Sequence, residues 1–233
     1  MADIVNTLFE AVETDDFQRV KCFVHTKGVN VNLFNAYCKT LLHIAAEKGY
    51  VEAAKELLEA GADINMRTID GRTSLFLAAE HGNDKVVNIL LEKPNIDVNL
   101  YHKGRTPLFV ACEEEKSVQA LLKDFRINVN FRFKDRTPLG YAIQEGNPTI
   151  SKLLIERDAD INITDNDGLT LLHHAVRKGL LDVVDHLLNR GASVHSKTKR
   201  GNTPLHIASM DGELELNKMI RFLKDNLKPV DFS

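Results

Sequence analysis

Between Thr73 and Thr106 the apolar residues fall into two helical stripes parted by a glycine. Leu75, Ala78 and Ala79 make a narrow first stripe, and Val86, Val87, Leu90 and Leu91, at i, i+1, i+4 and i+5, make a second. Thr73 stands where a helix needs an N-cap, with a hydroxyl to accept a first-turn amide. Gly82 follows nine residues later, placed to take the left-handed conformation that ends a helix. Beyond the second stripe, Asp97-Val98-Asn99 and a glycine just before the next threonine predict a short arm that turns back as a hairpin-like finger. The pattern therefore predicts helix, turn, helix, finger.

The same pattern returns along the chain. Its anchors are Thr7-Leu8-Phe9, Thr40-Leu41-Leu42-His43, Thr73-Ser74-Leu75-Phe76, Thr106-Pro107-Leu108-Phe109, Thr137-Pro138-Leu139-Gly140, Thr170-Leu171-Leu172-His173 and Thr203-Pro204-Leu205-His206, with steps of 33, 33, 33, 31, 33 and 33 residues. One supersecondary unit has been repeated, and each copy buries its apolar stripe on its neighbours. A stack of such units offers a long surface and no deep pocket, which favours binding over catalysis.

Helix, turn, helix and finger at this period, with the T-P-L-H-x-A motif met in full by Thr203-Pro204-Leu205-His206-Ile207-Ala208, resembles the ankyrin repeat. The resemblance implies an all-α repeat fold, an α-solenoid of about seven helix-turn-helix units with β-hairpin fingers. It implies one ankyrin-repeat domain over residues 1–233, with an N-cap unit at 3–35, units starting near Asn35, Thr68, Leu100, Phe133 and Asp165, a C-cap unit at 198–225 and a short tail at 226–233. The family default is a monomer. His43, His173 and His206 are expected to bridge backbone groups between neighbouring units, and the asparagines that follow the second helices are read as structural.

The pattern breaks in the middle. The unit starting at Thr106 is two residues short, with Glu113-Glu114-Glu115-Lys116-Ser117 where siblings have a glycine turn, and the finger from Asn130 to Thr137 has Asp135 where glycine is expected. Two readings stand: a tolerated tighter link, or a locally altered docking site.

Composition adds exclusions. A formal charge of −3 argues against a chain built mainly to hold nucleic acid or an anionic membrane, and no stretch is apolar enough to span a bilayer. Three cysteines, Cys22, Cys38 and Cys112, form no framework, and Met1-Ala2-Asp3-Ile4 does not begin a signal peptide. The expectation is a cytoplasmic protein, or one shared between cytoplasm and nucleus. No nucleotide-binding glycine motif, nucleophile elbow or HExxH is present. The acidic run around Asp165, Asp167 and Gly168 fails a calcium loop, because aligning its glycine places Ile163 at the first ligand and His174 at the glutamate. No enzyme activity, metal or cofactor is expected.

The fingers carry the candidate chemistry. Segments 34–39, 67–72, 101–105, 132–136, 164–169 and 197–202 hold eleven basic residues and four acidic ones, in a chain whose net charge is −3. Aromatic or apolar residues stand among them, the composition of protein-binding hot spots. The candidate protein-binding residues are Phe34, Tyr37, Lys39, Arg67, Ile69, Arg72, Tyr101, Lys103, Arg105, Arg132, Phe133, Lys134, Lys197, Lys199 and Arg200. The alternative is internal pairing, because Glu47, Glu80, Glu113 and Glu145 recur on adjacent inner-helix positions. The function expected is a non-catalytic scaffold or adaptor whose partner is a protein with an acidic, partly apolar surface. A regulatory inhibitor that occludes its partner uses the same surface. An anionic ligand or nucleic acid fits less well, because the fifth finger is acidic.

Overall fold

The structure is a computed structural model and describes residues 2–26, 29–134, 136–210, 221–223 and 225. The regular secondary structure of the described residues is almost all helical, with hairpin pairing limited to isolated bridges. The chain divides into two compact units, Met1–Asn128 and Val129–Ser233.

The first unit contains α1 (Ala2–Glu13), α2 (Phe17–Val24), α3 (Leu41–Lys48), α4 (Val51–Glu59), α5 (Ser74–Glu80), α6 (Asp84–Leu91), α7 (Pro107–Val110), a 3-10 turn (Ala111–Glu113) and α8 (Glu115–Leu122). The second contains α9 (Pro138–Glu145), α10 (Pro148–Glu156), α11 (Leu171–Arg177), α12 (Leu181–Asn189) and α13 (Pro204–Met210). In the first unit the inner helices α1, α3, α5 and α7 pack in succession, and the outer helices α2, α4, α6 and α8 do the same. In the second, α9, α11 and α13 form the inner row, and α10 packs on α12 outside it. The outer helix expected after α13 and the tail at 226–233 fall almost wholly outside the described residues.

Threonine starts these inner helices as expected. Thr40, Thr73, Thr106, Thr137 and Thr170 each accept the amide three residues on, from His43, Phe76, Phe109, Gly140 and His173. Thr7 differs: α1 begins at Ala2 and runs straight through it. A second correction concerns burial. Leu75, Ala78 and Ala79 are not a narrow face; Ser74 through Ala79 are all buried, because an inner helix is enclosed by two neighbours and by its own outer helix. The outer helices do keep a stripe, such as Val86, Val87, Ile89 and Leu90, or Val183, Val184 and Leu187. Each buried leucine or isoleucine contributes roughly 1.5–3 kcal/mol.

The histidines bridge units as expected. The ring Nδ1 of His43 accepts the Thr40 amide at 3.1 Å, and its Nε2 meets the Met66 carbonyl at 3.0 Å. In α11, His173 does the same with the Thr170 amide at 3.2 Å and the Asn202 carbonyl at 3.1 Å. These partners require a neutral ring with its proton on Nε2. Burial, foremost, holds both rings below the ordinary histidine range. His206 pairs with Thr203, and the chain that would meet its other face is outside the described residues.

Asparagines tie successive repeats. Asn65 Nδ2 donates to the Asn95 carbonyl at 2.8 Å and Asn65 Oδ1 accepts the Asp97 amide at 2.9 Å. Asn99 repeats this with Arg126 and Asn128, and Asn130 accepts the Asp160 amide at 2.8 Å. The irregular Lys93-Pro94 stretch is closed by Arg126, whose guanidinium donates to the carbonyls of Leu91, Lys93 and Pro94 while paired to Asp124. The short unit at Thr106 has a plain cause: α7 stops after four residues and a 3-10 turn leads to α8, so no left-handed glycine is needed.

Candidate interaction surface

Fingers of two lengths project from the helix pairs. In the longer kind the amide of the first turn residue bonds the carbonyl four residues on: Asn35 to Lys39, Thr68 to Arg72, Asp165 to Leu169 and Thr198 to Asn202. Their left-handed position is Cys38, Gly71, Gly168 or Gly201. The shorter kind closes by reciprocal bonds, His102 with Arg105 and Phe133 with Arg136. A two-residue loop of this sort needs positive φ at its centre, met by Lys103 at φ 46°, Gly104 at φ 76° and Lys134 at φ 46°.

The longer fingers also bond to each other in pairs. The Ile69 amide donates to the Tyr37 carbonyl at 2.9 Å, and the Lys199 amide donates to the Asp167 carbonyl at 2.9 Å. Counting from the turns, Tyr37 corresponds to Asp167 and Ile69 to Lys199. The backbone arrangement is the same, and only the side chains differ.

In the first unit the apolar side chains expected on the fingers do stand in solvent: Phe34, Tyr37, Ile69 and Tyr101 are 54–71% exposed. The cations beside them divide into two groups. Lys39 lies 2.6 Å from Glu47, and Arg72 contacts Asp70 at 2.9 Å and Glu80 at 3.0 Å. Internal pairing is therefore the arrangement at these two residues. Burial opposes ionisation of Asp70, but the Thr68 hydroxyl and the Arg72 guanidinium bring its pKa down to about 2. Glu47 is likewise held low against burial by the Lys39 ammonium. Such half-exposed pairs contribute about 0–1 kcal/mol each. Arg67, Lys103 and Arg105 are exposed and have no carboxylate partner among the described residues. Arg105 sits over the Phe109 ring at 5.7 Å.

The second unit's fingers are polar. Arg132, Lys134, Lys197, Lys199 and Arg200 are exposed. Phe133, expected in solvent, is half-buried, and the Lys134 ammonium lies 5.4 Å from its ring centre. The acidic fifth finger is organised internally: Asp165 accepts the Asp167 and Leu169 amides at 2.9 Å each and contacts His174 Nε2 at 2.9 Å. Burial opposes its charge, yet these donors keep Asp165 below the usual carboxylate range. His174 is held below its ordinary range by burial first and by Arg177 second.

Several features had no sequence signal. Phe125, after α8, is 89% exposed and borders an apolar groove of about 650 Å³ between the ends of α6 and α8. Glu56 on α4 is largely shielded and receives Lys21 of α2 at 2.9 Å and His25, just after α2, at 2.8 Å. Among the described residues no three His, Cys, Asp or Glu side chains converge on a metal position, and no helix is long and apolar enough to cross a membrane. Burial pushes the Cys112 thiol up to about 12, which leaves it unreactive.

Comparison with known proteins agrees with this architecture. Models of ankyrin repeats match residues 8–102, 97–165 and 154–208. Human transient receptor potential cation channel subfamily A member 1 is 31% identical over 196 residues, which are 84% of this chain and 15% of that protein. Mouse Rabankyrin-5 is 33% identical over 171 residues, 71% of this chain and 15% of its own length. The chain thus spans about 15% of these two relatives. Among solved structures, the ankyrin repeat domain of Bcl-3, a member of the IkappaB protein family, superposes with a TM-score of 0.78 at 26% identity, covering 92% of this chain and 97% of that one. The human ASB11 ankyrin repeat domain gives 0.69 at 29% identity, covering 95% and 98%. Ankyrin repeats generally mediate protein–protein interaction and are typically non-catalytic. With the fold, the finger hairpins and the matched residues in agreement, this chain belongs to the ankyrin-repeat family.

Proposed function

We propose that this chain is a non-catalytic protein-interaction scaffold that grips an acidic, partly apolar partner with the fingers of its first unit. One observation carries the reading. Phe34, Tyr37, Ile69 and Tyr101 stand in solvent beside Arg67, Lys103 and Arg105, cations with no internal carboxylate among the described residues. Exposed apolar groups beside arginine favour burial against a partner, and the spare positive charge selects an acidic one. Lys39 and Arg72, already paired, shape this surface more than they attract across it. The three cysteines, free of disulfides, support a reducing compartment such as the cytoplasm; an inter-cysteine disulfide found in protein isolated without reductant counts against it.

The test is affinity capture from the native cell with the chain and with the variant Arg67→Glu/Lys103→Glu/Arg105→Glu. A defined set of proteins retained by the first and lost by the second, with an unchanged thermal midpoint, supports the reading. Equal retention by both sinks it. Charge reversal at Lys197, Lys199 and Arg200 serves as the control and is expected to matter less.

A further inference from the structure

The paired fingertips provide an internal control. Tyr37 and Ile69 flank one backbone bridge, and Asp167 and Lys199 flank its counterpart. The second pair shows that this geometry accepts an acid and a base at the same positions. The fold therefore does not require tyrosine and isoleucine in the first pair, although both stand in solvent at 68% and 71% exposure. Exposed apolar side chains that the fold can do without are available for recognition.

Between those tips lies a cleft of about 270 Å³ lined by Tyr37, Lys39, Thr68, Ile69, Asp70 and Arg72. It is smaller than the ~300–1,000 Å³ typical of small-molecule sites, and it is the right order of size for one large side chain. Its electrostatics point to a neutral guest. Lys39 is engaged by Glu47, and Arg72 by Asp70 and Glu80, so no cation inside the cleft is left for a buried carboxylate. The available positive charge stands at the margin. A Cβ at Gly71 would lie 3.9 Å from an Arg67 guanidinium nitrogen and 3.7 Å from His102 Nδ1, which places Arg67 on the side of the next finger, where Lys103 and Arg105 also stand.

We propose that the Tyr37–Ile69 cleft is an anchor site for one aromatic or long aliphatic side chain of an acidic peptide segment in the partner protein. The neutral anchor enters between the two tips, and the flanking carboxylates meet Arg67, Lys103 and Arg105. This rests on the reading of the first-unit fingers as the binding surface, and adds the form of what binds: an extended segment with a single apolar anchor.

The test is selection of short random peptides displayed on phage against the purified chain, followed by solution affinities for an enriched peptide. Enriched sequences should share one Phe, Tyr, Trp, Leu or Ile among Asp and Glu residues. Replacing that residue by alanine, or the chain's Ile69→Ser or Tyr37→Ser, should each raise Kd by about tenfold or more, the loss of one hot-spot contact. Lys199→Ser and Phe125→Ser should leave Kd essentially unchanged. All four positions are exposed, so an unchanged thermal midpoint confirms folding. No enriched peptide, enriched peptides without the anchor or the acids, or a Kd indifferent to Ile69→Ser and Tyr37→Ser overturns the proposal. In any of those cases, loss of captured protein in the Arg67, Lys103 and Arg105 variant still leaves the broader reading standing.

Discussion

Tyr37 and Ile69 in the first unit occupy the positions that Asp167 and Lys199 occupy in the second, on the same hydrogen-bonded backbone. The neighbouring turn residue differs in the same sense. Asn35 Oδ1 accepts the Tyr37 and Lys39 amides at 2.9 and 3.1 Å, while Asp165 accepts the equivalent amides and also holds His174. In the second unit the Asp165 carboxylate is used within the protein. In the first, apolar tips are left facing outward, while exposed cations stand on fingers of both units. The scaffold is common to both units, and the difference between them lies in the fingertip side chains.

If the scaffold is common, equivalent core residues should matter equally. Leu90 and Leu187 are both fully buried at corresponding places on their outer helices. Leu90→Ala and Leu187→Ala should each destabilise by about 2–5 kcal/mol, measured by urea denaturation followed by far-UV circular dichroism. A near-zero effect at one of them breaks the comparison.

A smaller effect sharpens the finger difference. Asp165→Ala removes the acceptor for two amides and leaves buried His174 without its carboxylate, which should cost about 2 kcal/mol, whereas Asn35→Ala should cost about 1 kcal/mol. Equal losses would mean that the His174 contact contributes nothing to finger five.

Acid should act unevenly. Burial holds His43, His173 and His174 below the ordinary value of 6.5. The unfolded chain binds their protons first, so their contribution is whole above pH 6.5 and declines as pH falls from there through the lowered values. Two of the three lie in the second unit, whose amides should lose protection sooner on acidification, measured by hydrogen exchange corrected for intrinsic rates. Asp70 behaves likewise at lower pH: its contribution is present above 3.8 and is lost as pH approaches about 2. Earlier loss in the first unit near pH 6 would contradict this assignment.

The smallest effect concerns the short fingers. Lys103 holds φ at 46°, a region that favours glycine, so Lys103→Gly should stabilise by roughly 0.5–1 kcal/mol, seen as a small rise in thermal midpoint. A fall would show that the lysine side chain supports the turn.

The helices and fingers were legible because their signals are local. A period of 33 residues, capping threonines and the 3.6-residue stripes fix each element within its own segment. The near-total burial of Ser74–Ala79 was not legible, since enclosure by neighbouring helices leaves no local mark. The surface was only partly legible. Sequence named the exposed apolar tips Tyr37 and Ile69, yet it could not separate Lys39 and Arg72, which fold back onto glutamates eight residues ahead, from exposed Arg67 and Lys103. It placed Phe133 in solvent because nothing nearby in the chain announces its half-burial. Arg126 reaches Leu91, 35 residues earlier, through a contact that only the stacking of α6 and α8 creates.

The most direct test of recognition by the first-unit fingers is a backbone amide shift map of the isotope-labelled chain titrated with an enriched acidic peptide. The account predicts that the largest changes fall in segments 34–39 and 67–72, with smaller ones at 101–105. Changes centred on 164–169 and 197–202, or on the groove beside Phe125, would contradict it.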